Sequence, residues 1–440
     1  MDWSQIPDLG AVILLACAFA SIARQGRTRV SRLWLTGWAM IALHFAAFIF
    51  LPLPGILGDA AAFVGLGALA DAGILFMYST ILYYEQPSNR WMLVGLLFSV
   101  TLYVSLLSIS PLWAWTLTPA ALLVGFIPIA LSLSAHPAFS HPLRWSLVSL
   151  FTGLAIFLLL FQHRGTTGPD LAINGILFTV YFGCCIHFGY TYRRASAGAL
   201  ISIVGFGTWA LVFVVGPLLF AYAPSVHVES EVWNLPKYLV AVGMILLMLE
   251  DQIEHNKYLA LHDELTGLPN RRLYLDRLSV AIDRAQRLGS TMSLLVIDLD
   301  GFKAVNDSFG HHVGDVVLRK VAASFDKRVR RCDTVARTGG DEFSIVLEEP
   351  TTHANALQVA NSLIQLLAAP IEAEGHFVQV GASIGIAVYP DDATSLEALC
   401  IAGDRKMYSD KHESQQPILS ERPEPNLTAT LLDEAVKSNG

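Results

Sequence analysis

Charge is scarce in this chain: among 440 residues Lys and Arg number 29 and Asp and Glu 37, 15% of the total, against 53% that are hydrophobic. Length and apolar content together exclude one ordinary water-soluble domain, so part of the chain is expected in a membrane. Basic residues are the scarcer sign and the formal net charge is -8, which argues against a nucleic-acid-binding surface. Cysteine is sparse too. Cys17, Cys184, Cys185, Cys332 and Cys400 show neither CxxC spacing nor an extracellular cluster, so no disulfide framework and no zinc site is expected. The first apolar run lacks the basic start and small-residue cleavage site of a removable leader, and is read as a retained span.

Long apolar runs fill the N-terminal half. From Leu9 to about Glu250 they alternate with short polar breaks, and each could cross a hydrocarbon core of roughly 30 Å as a helix. About nine spans are expected, near 9–23, 33–52, 61–84, 92–110, 113–134, 145–162, 171–190, 198–222 and 237–250. Lys and Arg beside spans prefer the cytoplasmic side. Arg24, Arg27, Arg29 and Arg32 follow the first run, and Arg90, Arg144, Arg193 and Arg194 fall in breaks that a zigzag puts on the same side. The opposite breaks hold few basic residues, chiefly Arg164 and Lys237, together with Glu229 and Glu231. The N-terminus is therefore expected outside, and nine spans deliver the chain after Glu250 to the cytoplasm.

Ionisable residues inside spans are costly and mark candidate functional positions. Asp71 lies near the middle of the third run, His44 at a comparable depth in the second, and His187 nearer the cytoplasmic end of the seventh. For each histidine, a ring satisfied by a backbone carbonyl is the plainer account. An unpartnered Asp71 carboxylate would cost several kcal/mol at the bilayer centre, which points to a cavity or a paired site. From Glu250 to His262 the chain is polar and free of Gly and Pro. Leu249, Ile253, Asn256 and Ala260 follow a 4-3-4 spacing that suits either a short seam with a second copy or a solvated helix.

Near residue 255 charges appear, and a water-soluble domain begins. Residues 293–297 are a short buried-strand run closing on Asp298, and 316–329 carry an apolar stripe at Val317, Val321 and Phe325 with helical period. Thr334 to Thr338 and Phe343 to Leu347 read as strands joined through Gly339 and Gly340, a hairpin signal. A helix over 353–369, strands over 377–380 and 382–388, and a last helix over 394–411 follow. That order implies an α/β sandwich with a mainly antiparallel sheet flanked by helices. Asp298 then closes one strand while Asp341 and Glu342 sit at a hairpin turn, so the fold can bring acids from two segments together in a cluster that suits Mg²⁺ and a nucleoside triphosphate; any one of them alone reads as a solvated turn residue. Asp300 shares a face with Asp298 by alternation, or merely caps the turn.

Gly339-Gly340-Asp341-Glu342-Phe343 does not stand alone. Asp263-Glu264-Leu265-Thr266-Gly267-Leu268-Pro269-Asn270-Arg271-Arg272 precedes it, as do Asp298-Leu299-Asp300-Gly301-Phe302-Lys303, Asn306-Asp307, Phe309-Gly310-His311 and Gly314-Asp315, and Ser383-Ile384-Gly385-Ile386-Ala387 follows. Together they resemble the diguanylate cyclase (GGDEF) family over about residues 255–415, here of a membrane-bound sensor type. The resemblance implies a nucleotidyl-cyclase-like α/β domain that condenses two GTP into cyclic di-GMP and two pyrophosphates. Each domain of the family binds one GTP, so a homodimer is implied.

Carried over position by position, the resemblance implies that Asp298, the Leu299 carbonyl and Asp341 hold Mg²⁺, two ions per site, with Mn²⁺ an alternative. Asp341 would also take the ribose 3′-hydroxyl proton, with Glu342 assisting the metal site. Lys303 would steady phosphate charge beside amides from Gly301 to Lys303. Asn306 and Asp315 would read guanine, with His311 beside them, and Lys411 would contact the triphosphate. Arg330 and Asp333 match an RxxD product-binding site, implying feedback inhibition by cyclic di-GMP. A basic helix end steadied by its dipole is the plainer account of that segment.

One position departs from the pattern: Gln415 stands where an arginine is expected, a loss of about 1 to 3 kcal/mol in triphosphate binding. The chain is thus read as a transmembrane sensor over 1–250, a signalling helix over 251–262, a GGDEF domain over 263–415 and a disordered tail over 416–440. It is expected as a multi-pass protein of a bacterial cytoplasmic (inner) membrane, without a second catalytic domain and without a nucleic-acid partner. Two rivals remain at this level: a catalytically weak membrane receptor for GTP or cyclic di-GMP, and a transporter with a regulatory domain, for which no internal repeat speaks.

Overall fold

The computed structural model describes residues 1–25, 29–79, 87–108, 114–134, 139–161, 167–192, 196–226, 228–348 and 351–415. The tail expected to be disordered, 416–440, lies outside the described residues. The chain divides into two compact units, Met1–Glu254 and His255–Gly440.

In the first unit a short turn at Trp3–Gln5 leads into α1 (Ile6–Gln25), α2 (Arg29–Phe48), α3 (Ile56–Met77), α4 (Pro87–Ser108) and α5 (Ala114–Ser134). Next come α6 (His141–Phe161), α7 (Gly168–Thr191), α8 (Ala197–Tyr222) and α9 (Ser230–Leu261). Among the described residues eight helices are long and apolar enough to cross a membrane, all of these except α2. The expected nine spans are thus eight plus α2, whose Arg29, Arg32 and His44 lower its apolar character although it is 20 residues long. Apolar side chains face both ways. Phe19, Trp38, Phe76, Tyr181 and Phe206 are buried in one core, while Leu14, Phe98, Phe126, Leu160 and Phe220 are exposed, as in a multi-pass membrane bundle with lipid outside it. Small residues bring α8 and α9 together: a Cβ on Gly243 would lie 2.5 Å from the Ser202 amide nitrogen.

His44 is buried with Nδ1 3.0 Å from the Gly65 carbonyl oxygen, the plainer of its two accounts. His187 differs, since its Nε2 is buried without a hydrogen-bond partner. Asp71 accepts a 2.9 Å bond from the Thr101 hydroxyl through one oxygen, and its other oxygen is buried without a partner. Lys237, read above as a loop residue, lies buried inside α9. The last apolar run and the polar segment after it form one unbroken helix, on which Leu249 and Ile253 of the seam are exposed.

The second unit contains α10 (Arg271–Leu288), β1 (Met292–Asp298), α11 (Phe302–Phe309), α12 (His311–Arg328), β2 (Thr334–Arg337) and β3 (Glu342–Leu347). After these come α13 (His353–Leu367), β4 (Ile371–Ala373), β5 (His376–Val378), β6 (Ser383–Tyr389) and α14 (Leu396–Gln415). The main sheet runs β2-β3-β1-β6, antiparallel throughout. Strand alternation sorts β1 between two cores. Leu295 and Ile297 pack with Val317, Val321 and Phe325 of α12, while Met292, Leu294 and Val296 pack with Leu278 of α10 and Leu399 at the start of α14. Two helices, α10 and α11, were not anticipated, and α12 starts five residues before the expected helix because Gly310 (φ 84°) begins it at His311. The segment near 377–380 does not extend the main sheet. It pairs with β4 in a separate hairpin that turns through Glu374 and Gly375, both at positive φ.

Candidate active site

Asp298 ends β1 in register with Glu342, and the next amide, Leu299, donates to the Asp341 carbonyl at 3.2 Å. This bond sets Asp298 and Asp341 beside each other at one end of the sheet. Lys411, on α14, donates to Asp298 Oδ1 at 2.5 Å. That carboxylate, with the charges of Asp300 and Asp341, holds the Lys411 ammonium above its ordinary value. Glu342 is exposed and its carboxylate folds over Gly339, where a Cβ would meet Oε2 at 2.6 Å.

Asp300 does not cap α11; the N-cap is Gly301 at φ 79°. Its backbone exchanges two 3.0 Å bonds with Gly381, and its carboxylate accepts from the Ser383 hydroxyl at 2.9 and 3.0 Å, bracing β1 against β6. Burial, assisted by the Asp298 charge and opposed by the Ser383 bond, pushes the Asp300 carboxyl above its ordinary range.

Lys303 and Asn306 lie three residues apart on α11, hence on one face, and α11 starts directly after the Asp298–Asp300 turn. Asn306 Oδ1 is buried without a hydrogen-bond partner and lies where a Cβ on Gly314 would come within 2.0 Å. Asp315 follows Gly314 on α12, so Asn306 and Asp315 share a neighbourhood, with exposed His311 at the start of that helix. Arg330 and Asp333 are elsewhere. They precede β2 while the Gly339-Gly340 turn follows it, and that four-residue strand separates the two by about 13 Å at ~3.3 Å per residue. The Asp333 carboxylate accepts from the Arg330 amide (2.9 Å) and the Glu348 amide (3.1 Å), whereas the Arg330 side chain is exposed beside a 270 Å³ cavity that also reaches Asn355 and Ser362.

Arg337 was missed from sequence. It donates through Nη1 to both oxygens of Asp263 (2.9 and 3.1 Å) and through Nε and Nη2 to the Gly340 carbonyl (3.1 and 2.7 Å). The Asp263–Pro269 segment is itself a tight turn, with the Thr266 amide and hydroxyl both on Asp263 Oδ1 and Gly267 at φ 72°. Arg337 latches that turn to the glycine hairpin. Gly385 has a packing reason: a Cβ there would lie 2.1 Å from the Gly403 carbonyl and 2.3 Å from the Met407 nitrogen, so glycine lets α14 approach β6 and deliver Lys411.

Residues 260–417 match the family described as diguanylate cyclase, GGDEF domain. The C-terminal domain belongs to the GGDEF family. Among its relatives is the bifunctional diguanylate cyclase/cyclic di-GMP phosphodiesterase MucR of Pseudomonas aeruginosa, 40% identical over 194 residues, which are 40% of this chain and 28% of MucR. Diguanylate cyclase TpbB of the same species is 39% identical over 168 residues, 38% of this chain and 39% of TpbB. A solved structure comprising only the GGDEF domain of TpbB is 40% identical and aligns with a TM-score of 0.34, covering 34% of this chain and 89% of that one. The chain spans well under half the length of these two curated relatives.

Asp298, Asp341 and the Leu299 carbonyl offer a GGDEF domain oxygen donors only, the chemistry that suits a hard divalent cation. Among the described residues no group of three or more His, Cys, Asp or Glu side chains could hold a metal ion.

Proposed function

We propose that the chain is a diguanylate cyclase that condenses two GTP into cyclic di-GMP and two pyrophosphates, acting as a homodimer under the control of its membrane unit. The observation that carries this reading is the Leu299 to Asp341 backbone bond, which sets two acids side by side next to Lys411. Asp341 would accept the proton of a ribose 3′-hydroxyl, with Glu342 in support. Lys303 and Lys411 would meet the phosphate charge, Lys411 exchanging Asp298 for a phosphate oxygen. Asn306, whose Oδ1 has no internal partner, and Asp315 would accept from the N–H edge of guanine, with His311 near them. Mg²⁺ or Mn²⁺ at Asp298, Asp341 and the Leu299 carbonyl would supply polarisation of the α-phosphate.

One copy offers one guanine site and one Asp341, so the two halves of the product come from two facing copies. Exposed Leu249 and Ile253 on α9 support a seam between them. The exposed Arg330 fork beside its cavity supports product feedback, with Asp333 holding the turn. If α2 crosses with the eight more apolar helices, the basic breaks put the N-terminus outside a bacterial inner membrane and the GGDEF domain in the cytoplasm.

The test is cyclic di-GMP formation by the full chain in detergent with GTP and Mg²⁺, beside Asp341→Ala and Asn306→Ala. Product from the parent that is lost in Asp341→Ala supports the cyclase. A folded dimer that binds GTP and makes no product would instead indicate a receptor, the reading that Gln415 favours.

A further inference from the structure

The membrane unit contains a chamber of 310 Å³ at the end of the bundle where α1, α7 and α9 begin, within the roughly 300–1,000 Å³ range of small-molecule sites. Lys237 lines it and is only 8% exposed. Its ammonium donates to Asn234 Oδ1 at 2.6 Å and stands 4.5 Å from the Phe45 ring centre and 5.9 Å from that of Trp209. Asn234 in turn donates to Asp8 at 2.6 Å, and Tyr238 donates to the other Asp8 oxygen at 2.5 Å. Each Asp8 oxygen thus accepts one bond from a neutral donor, and its buried charge faces Lys237 across the Asn234 bridge without a direct hydrogen bond to the ammonium. The ammonium, with three donors and one placed on protein oxygen, keeps hydrogen-bonding capacity in an otherwise largely aromatic and aliphatic space. A buried lysine held this way is costly unless an acceptor completes it.

A second cavity adjoins this one. It measures 550 Å³, is lined by apolar side chains such as Leu154, Phe157, Phe178 and Leu218, and shares Asn174 and Phe213 with the Lys237 chamber as a common wall. A charged head beside an apolar groove describes an amphipathic ligand. A cationic head is disfavoured by Lys237. Asp170 at the chamber's lining opposes an anion, but it is exposed, so solvent screens its charge, and it lies outside the buried Lys237–Asn234 pair.

We propose that this chamber binds an amphipathic monoanion of the medium-chain carboxylate class, its head on Lys237 and its tail toward the apolar groove. Lys237 and Asn234 both lie in the first turns of α9, so the ligand would grip that helix directly.

The test is isothermal titration of the full chain in dodecyl maltoside micelles with sodium butanoate, hexanoate and octanoate, and with 1-octanol as the uncharged counterpart. Saturable binding that tightens about fourfold per methylene, exceeds that of octanol, and weakens about tenfold or more in Lys237→Met supports the assignment. Octanol binding as tightly as octanoate to the parent chain overturns it, and that comparison holds even if Lys237→Met fails to fold. Phosphatidylglycerol titrated into the same micelles separates the two sources of such an anion. Octanoate affinity that the lipid leaves unchanged supports a soluble amphiphile, whereas displacement by one equivalent of lipid assigns the chamber to a headgroup and overturns the proposal. These readouts do not depend on cyclase activity.

Discussion

Replacing Arg337 by methionine should loosen the GGDEF hairpin without removing any acid from it. The Arg337 and Asp263 side chains are only 12% and 24% exposed, so this pair is not a screened surface contact. Methionine keeps the aliphatic stem but gives up the guanidinium bonds to Asp263 and to the Gly340 carbonyl, leaving Asp263 with Thr266 alone. Charge-assisted bonds of this kind contribute ~1.5–3 kcal/mol each, and partial exposure and relaxation bring the expected loss to about 3 kcal/mol. The assay is amide hydrogen exchange of the full chain in detergent, read at the Leu299 and Thr338 amides, whose acceptors are Asp341 and Glu342. A loss of that size speeds their exchange about a hundredfold. Asp263→Ala with Arg337→Met should cost less than the two single changes added together. Acid should weaken the same latch. Burial works against ionised Asp263, yet bonds from Thr266 and Arg337 outweigh it and hold its carboxyl below the ordinary 3.8. Because the folded value is the lower one, the latch stabilises fully above about pH 3.8 and fades as pH falls through the depressed value. Exchange at both amides within twofold of the parent, or strictly additive single costs, would refute the reasoning.

Gly385→Ala should cost at least about 3 kcal/mol, because both atoms it strikes are backbone; a thermal melt of the full chain should show early loss of the C-terminal domain. Gly340→Ala is the contrast. A Cβ there meets nothing within 4 Å, so the fold should hold within about 0.5 kcal/mol while product formation falls if a substrate must approach that backbone. Gly314→Ala should push Asn306 aside and raise the KM for GTP about tenfold, with kcat less affected, in a steady-state assay. Lys411→Met should reduce stability by no more than ~1 kcal/mol, since the lysine side chain is a third exposed, while raising KM. Its raised value keeps the ion pair complete below the ordinary 10.5, so no pH dependence from it is expected between about pH 6 and 9.

The soluble domain was legible where local pattern and tertiary demand coincide. Val317, Val321 and Phe325 mark α12 because one face of that helix meets the sheet, and Gly339-Gly340 mark the hairpin because a tight turn follows β2. What escaped depended on partners distant in sequence. Arg337 looks like any strand-end arginine until Asp263, 74 residues away, comes to it, and Asp300 reads as a turn cap until Ser383 supplies its hydrogen bonds. α10 escaped because its buried face is only Tyr274, Leu278, Ala281, Ile282 and Ala285 among many charges, and α11 because eight residues scarcely show a period.

The membrane unit resists such reading for a different physical reason. Core and lipid are both apolar, so Phe206 inside and Phe220 outside look alike in sequence, and periodicity cannot assign a face. Only polar residues carry information there, and their meaning depends on depth. Lys237 read as a break between spans, because a lysine next to Pro236 and a run of polar residues resembles a loop. The fold instead continues the helix through Pro236, its seventh residue, at the loss of one backbone bond, and turns Lys237 inward onto Asn234. The same residue that blurs the span boundary therefore carries a buried charge facing Asp8 across Asn234, with donors left over for the proposed anion.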